Sequence, residues 1–212
     1  MTSHLIAHSR ALEAHDDQKK VFDMSDEELA LRVSKDAAAF GVLMERYEGK
    51  LMSYIQRKSN VTRESAEDLL QESFLNAFRN INNFDARLSF SSWIYRIVHN
   101  QTISGWRKSS VRPEGHTVPV DDEFMARFQA DGDIALDLDK EILGDHVQEV
   151  IIRMDEKYRN ALILRYMEDK SYDEISDILR KPPGTVATYI SRAKKQFKKL
   201  AQQHMQNLST DI

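Results

Sequence analysis

Apolar positions recur along most of this chain at steps of three and four residues, the period of helices with one buried face. Ser25-Asp26-Glu27-Glu28 reads as a capping box that opens a first helix, with Leu29, Val33 and Leu31 on its apolar side. A second helix is expected from about Asp36 to Ser59, where Phe40, Leu43, Met44, Tyr47, Leu51, Tyr54 and Ile55 form one stripe. The third, from about Thr62 to Ile81, carries a core face of Ala66, Leu69, Leu70, Ser73, Phe74, Ala77, Phe78 and Ile81. Its opposite side gathers Glu67, Asp68, Gln71 and Glu72 into an acidic and amide patch. Thr62 suits the N-cap, and the acids that follow suit the positive end of the helix dipole. Asparagines at Asn80, Asn82 and Asn83 favour a turn, and a short loop from Phe84 to Phe90 leads into the next helix.

That fourth helix places Trp93, Ile94, Ile97 and Val98 on its apolar side and Arg96, His99, Asn100, Arg107 and Lys108 on a basic, hydrogen-bonding surface. Aromatic rings interleaved with cations suit single-stranded nucleic acid, because bases stack on rings while cations follow phosphates. The texture changes from Glu114 to Glu141, where acids are opposed only by Arg127 and Lys140 and interrupted by Gly115, Pro119 and Gly132. This stretch is read as an acidic linker, with a short helix around Glu123 to Phe128.

Helical spacing returns near Ile142, with Val147, Val150, Ile151 and Met154 inward, followed by Tyr158, Leu162, Ile163, Tyr166 and Met167. Ser171-Tyr172-Asp173-Glu174 is a second capping box. Lys181-Pro182-Pro183-Gly184 then stops that helix, Gly184 being expected to take a positive φ and Thr185 to cap the last helix. Val186, Ile190, Ala193, Phe197 and Leu200 face inward along it. A capped helix, a short turn and a second helix make a helix-turn-helix. Between Arg180 and Lys199 stand seven basic residues and no acid, an asymmetry suited to phosphates.

Composition narrows the classes. The chain has 212 residues and no cysteine, which excludes disulfides and thiolate metal sites and fits a reducing cytoplasm. No stretch reaches the roughly 20 apolar residues of a membrane span, and no P-loop, nucleophile motif or glycine fingerprint supports an enzyme. His4 and His8 have the spacing of a helical metal pair, but nothing near them in sequence completes a site, so neither metal nor cofactor is expected. The fold expected is all-α: two small helical domains joined by an acidic linker, the second a helix-turn-helix domain.

Asp68-Leu69-Leu70-Gln71-Glu72-Ser73-Phe74 resembles the D-L-x-Q-E-x-F signature with which bacterial sigma factors hold the clamp helices of RNA polymerase. Phe90 to Asn100 is similar to the F-x-x-W-L-Y-x-I-A-x-N segment that reads the −10 promoter element. Tyr158 to Tyr166 and Ser171 to Ile175 look like strings of the −35 domain, and Gly184-Thr185-Val186 with Ser191-Arg192-Ala193-Lys194 resembles its recognition helix. Together, from Ser25 to Leu200, these pieces resemble the extracytoplasmic-function (ECF) group of sigma factors. Ala187, Tyr189, Ser104 and Asp155 depart from the residues common in that group.

The resemblance implies a promoter-specificity subunit without catalysis of its own. It divides the chain into a polar tail (1–23), a region-2-like domain (24–112), the linker (113–141), a region-4-like domain (142–204) and a C-terminal tail (205–212). Asp68, Gln71 and Glu72 would bind core polymerase at the β′ clamp helices, and the second domain would meet the β flap. Asp85, Arg87, Ser89, Trp93, Arg96, His99, Asn100, Arg107 and Lys108 would contact the −10 element. Thr185, Ala187, Thr188, Tyr189, Arg192, Lys194, Lys195 and Lys198 would face the −35 element. An anti-sigma factor is the further partner implied. The alternative is a sigma-like decoy that sequesters an anti-sigma protein without binding promoters.

Overall fold

The computed structural model describes residues 21–59, 61–108, 124, 126–128 and 140–210, and every regular element among them is helical. The His4 and His8 pair and most of the acidic linker lie outside the described residues. The helices are α1 (Asp26–Arg32), α2 (Ala38–Ser59), α3 (Arg63–Asn80), α4 (Phe90–Lys108), α5 (Lys140–Ile152), α6 (Glu156–Leu162), α7 (Tyr172–Leu179) and α8 (Pro183–Thr210). A 3₁₀ turn, Ile81–Asn83, follows α3, and a π turn, Ile163–Met167, continues α6.

The helix starts form where local chemistry asks for them. In the first capping box the Glu28 amide donates to Ser25 Oγ at 3.2 Å and the Ser25 amide to Glu28 Oε2 at 2.8 Å. Ser171 and Glu174 repeat the exchange at 3.2 and 2.9 Å, and Thr62 caps α3 by accepting from the Ser65 amide. The turn between α7 and α8 is built differently from the expectation. Arg180, with φ of 52°, takes the left-handed conformation that ends α7, whereas Gly184 is the second residue of α8. The Pro182 carbonyl accepts the first bonds of α8, from the amides of Thr185 and Val186. Pro183 therefore occupies the first helical position, where its missing N–H costs nothing, and Thr185 lies inside the helix rather than capping it.

Helices α1 to α4 pack around Leu43, Tyr54, Ile55, Phe74, Phe90, Trp93 and Ile94. Helices α5 to α8 pack around Val147, Ile151, Leu162, Tyr166, Ile178, Ile190 and Phe197. Phe124 and Phe128 join this second core fully buried, with ring centroids 5.7 and 5.0 Å from Phe197. Part of the acidic stretch is therefore not a solvated spacer: its two phenylalanines plug the helix-turn-helix core.

The apolar stripes are not buried throughout. Leu31, Met44 and Phe78, expected on buried faces, are 58%, 38% and 44% exposed, and Leu69 is half-buried. Phe78 leans on Phe40 with centroids 5.2 Å apart, and its other side is left uncovered.

The two helical units also touch. Helix α7 packs on α4, and the loop after the π turn reaches across. Glu168 accepts from the Tyr95 hydroxyl at 2.7 Å and from Arg57 Nη1 at 3.2 Å, and Lys170 Nζ donates to Ser91 Oγ at 2.6 Å while lying 4.4 Å from the Tyr95 ring centroid. Asp169, with φ of 51°, turns the chain between these two residues.

Candidate nucleic-acid interface

Helix α8 presents one face to the core and one to solvent. Val186, Ile190, Ala193, Phe197 and Ala201 are buried at helical spacing. The same period leaves Ala187, Thr188, Arg192 and Lys195 exposed, with Thr185, Tyr189, Lys194 and Lys198 half-buried beside them. Thr188 Oγ1 donates back to the Gly184 carbonyl at 2.9 Å, and Arg192 Nη1 donates to the Tyr158 hydroxyl at 3.2 Å. That guanidinium pulls the Tyr158 phenol below its ordinary range. The Tyr158 and Tyr189 rings meet edge to face, with centroids 5.8 Å apart. The result is an acid-free convex face in which aromatic edges hold the guanidinium near the N-terminal half of the helix. Such a face fits a major groove.

The N-terminal unit carries a second surface. Asp85 and Arg87 pair in the loop before α4, Nη2 to Oδ2 at 2.6 Å and Nε to Oδ1 at 2.9 Å. Those bonds hold the Asp85 carboxyl down at about 2. Ser89 is half-buried, its Oγ accepting from the Ser92 amide at 3.3 Å. On α4, Arg96 is half-buried and Asn100 exposed. Arg107 and Lys108 end the helix, with side chains outside the described ones.

Two expected contacts are not at this surface. Trp93 is 8% exposed, wedged against Phe84 and Phe90 with centroids at 5.5 and 5.6 Å. His99 is buried, with Nδ1 2.9 Å from the Tyr54 hydroxyl and 3.1 Å from Lys58 Nζ. The apolar period of α4 runs through both positions, so packing takes their rings. In this arrangement they are packing groups that position the helix.

Periodicity alone did not single out the polar cluster around His99. Lys58 Nζ donates to the His99 carbonyl at 2.9 Å and to Thr102 Oγ1. Burial pushes Lys58 down to about 7 and, with the Lys58 charge, pushes His99 down to about 3. One signal was present: Lys58 stands four residues after Tyr54 and seven after Leu51, in register with the buried stripe of α2.

The patch on α3 is placed as expected. Asp68, Gln71 and Glu72 are exposed, and Gln101 Nε2 donates to Glu72 at 2.5 Å. Beside Gln71 runs an apolar groove of about 490 Å³ lined by Phe40, Met44, Phe74, Leu75 and Phe78. The incompletely buried Met44 and Phe78 are two of its walls.

Two helical units, the second a helix-turn-helix with an acid-free outer face, define a protein of the helical DNA-binding class. Residues 43–112 match the model for sigma-70 region 2, and residues 145–197 that for sigma-70 region 4. The chain is 33% identical over 174 residues to the ECF RNA polymerase sigma factor SigW of Bacillus subtilis, covering 77% of this chain and 89% of that one. It is 32% identical over 183 residues to the RNA polymerase sigma-H factor of Pseudomonas aeruginosa, covering 84% and 94%. In fold it is similar to CnrH, solved in complex with the cytosolic domain of CnrY, with a TM-score of 0.62 at 21% identity over 84% of this chain and 97% of that one. A similar likeness, TM-score 0.60 at 19% identity over 77% and 96%, relates it to the sigma factor RpoE of Bartonella quintana, solved in complex with the anti-sigma factor NepR. The chain belongs to the ECF group of bacterial RNA polymerase sigma factors. It acts in promoter-directed transcription initiation, by binding rather than by catalysis. Among the described residues no helix is long and apolar enough to cross a membrane.

Proposed function

We propose that α3 docks on the β′ clamp helices of core polymerase, that the loop from Asp85 to Ser89 and the outer face of α4 read the −10 element, and that α8 reads the −35 element. The observation that carries the reading is the pairing on α3 of exposed Asp68, Gln71 and Glu72 with an adjoining apolar groove. A polar rim beside uncovered apolar walls is the anatomy of a protein interface, and partner helices fill such grooves with their apolar faces. Asp85, Arg87, Ser89, Arg96 and Asn100, with Arg107 and Lys108, are the −10 contacts in this reading, Trp93 and His99 supporting the helix from inside. The second unit would also meet the β flap, and by likeness to the Bartonella relative an anti-sigma protein is a further partner.

Replacing Asp68 and Gln71 together by Ala tests the docking. Both are exposed on a helix whose stability comes from its other face, so melting should change by no more than about 0.5 kcal/mol. Affinity for core polymerase should fall by about tenfold or more, as for truncation at the rim and centre of an interface. Unchanged affinity measured by fluorescence anisotropy would remove α3 from the interface.

The −35 assignment divides labour along α8. Arg192 is exposed near the N-terminal half of the helix, where recognition helices meet base edges, while Lys198 lies about a turn and a half further on. Arg192→Ala should relax base preference at one or two −35 positions, by about 1–3 kcal/mol for a bidentate contact. Lys198→Ala should weaken all sequences alike and flatten the salt dependence. Binding-site selection in complex with core polymerase separates the two; equal changes in base preference would refute the division.

A further inference from the structure

Three metal-ligating side chains meet where the first helix of the C-terminal unit crosses the far end of the last. His146 and Glu149 stand three residues apart on α5, so they project from one turn, and His204 comes from α8. Glu149 lies between the rings: His146 Nδ1 is 3.7 Å from Oε1, and His204 Nε2 is 3.5 Å from Oε2. The imidazole centroids are 4.8 Å apart. Both facing nitrogens are buried and make no hydrogen bond, and the His204 residue is only 7% exposed.

A charge-assisted hydrogen bond does not account for this geometry. A charged imidazole bonded to a carboxylate closes to roughly 2.7–2.9 Å, and both separations exceed that. Two imidazole nitrogens and a carboxylate thus converge without a hydrogen bond from either nitrogen. A tetrahedral ion with bonds of about 2.0–2.1 Å holds its ligand atoms roughly 3.4 Å apart, close to both separations from Glu149. The ligand atoms all lie within 4.8 Å of one another, and the half-exposed Glu149 has the freedom to draw them together.

We propose that His146, Glu149 and His204 form a binding site for a divalent cation of zinc's class, a clamp between α5 and the C-terminal end of α8. Two imidazoles and one carboxylate, with no thiolate and no second carboxylate, suit zinc or its transition-metal neighbours over magnesium or calcium. The open side of Glu149 leaves a fourth position to solvent. His204 lies beyond residues 145–197, which match sigma-70 region 4, so the site is a property of this chain's extended last helix rather than of the family match. Helix α8 also carries Arg192 and its neighbours, so a bound ion would fix the far end of the helix proposed to read DNA. The site itself does not depend on that reading.

The test uses the full chain, stripped with chelator and titrated with zinc by calorimetry and with cobalt by visible absorption. One high-affinity site is expected, with the cobalt d–d bands of a low-coordinate nitrogen and oxygen site. Zinc should raise the melting temperature in a concentration-dependent way. His204→Gln and Glu149→Gln should each lower zinc affinity at least tenfold and abolish the melting shift, whereas the double change His4→Gln with His8→Gln should leave both intact. Should His204→Gln unfold the helix by circular dichroism, the half-exposed Glu149→Gln variant decides alone. Absence of micromolar zinc binding, equal affinity in Glu149→Gln and the wild type, or loss of binding only on changing His4 and His8 would each overturn the site.

Discussion

Replacing Glu168 by Ala is expected to part the two halves of the molecule while leaving each folded. Its carboxylate bonds to α2 and α4 together, and burial pushes it above the ordinary carboxylate range. The Arg57 and Glu168 side chains are only 10% and 5% exposed, so water does not replace the lost bond cheaply. Removing one member of a buried ion pair costs about 3–5 kcal/mol. Among the described bonds that remain across the junction are those from Lys170 Nζ to Ser91 Oγ and from Gln148 Nε2 to the Arg57 carbonyl at 3.1 Å, and a single hydrogen bond to a charged group contributes about 1.5–3 kcal/mol. Small-angle scattering should show the radius of gyration rising well above the roughly 17 Å of a compact chain this long. An unchanged radius would mean that the packing of α7 on α4 and the remaining bonds hold the halves together without Glu168.

The separation matters for promoter binding. Elements named −10 and −35 are about 25 base pairs apart, roughly 85 Å along B-DNA at 3.4 Å per pair. A compact chain of this length spans roughly half that distance. On the proposed assignment of α4 to one element and α8 to the other, the packed arrangement is too short to occupy both at once, and Glu168→Ala should favour a separated form.

The second large effect is on stability against pH, at Lys58. The folded chain holds this amine at about 7 against an ordinary value of 10.5. Between those values the unfolded chain binds more protons, so stability should rise as pH increases from about 7 to 10.5 and gain nothing further above that window. The same sign applies to His99, held at about 3 against 6.5, so stability should fall as pH drops through that lower range. Burial is the main cause for both; the Glu156 charge partly offsets it at Lys58, and Arg159 adds to it. The full shift at Lys58 corresponds to on the order of 5 kcal/mol. Lys58→Met, which keeps the length and removes the charge, should flatten the dependence above pH 7 and raise stability at pH 7. The Tyr54 hydroxyl still faces His99 Nδ1, and Thr102 still donates to the His99 carbonyl, so the variant leaves those two groups bonded. Urea unfolding at pH 7, 8.5 and 10 measures it, and parallel slopes in variant and wild type would exclude Lys58 as the titrating group.

Local chemistry was legible from one sequence. Both capping boxes, the Thr62 cap, the apolar stripes and the polar patch on α3 depend on residues within a turn or two of each other, and a helix sets those spacings by itself. The acid-free run on α8 likewise needed only its own period to become a face. The family strings, read in order, were sufficient to identify the group to which the chain belongs.

Tertiary packing decided the rest, because periodicity says which residues share a side and not what covers that side. It left Phe78 and Met44 as groove walls and drew Trp93 and His99 inward. It placed Phe124 and Phe128, from a stretch whose composition reads as solvated, inside the second core. It brought Glu168 to Arg57 across 111 positions and His204 to Glu149 across the C-terminal unit. Such pairs have no fixed spacing in the chain, and only the balance of burial against desolvation in the assembled fold brings them together.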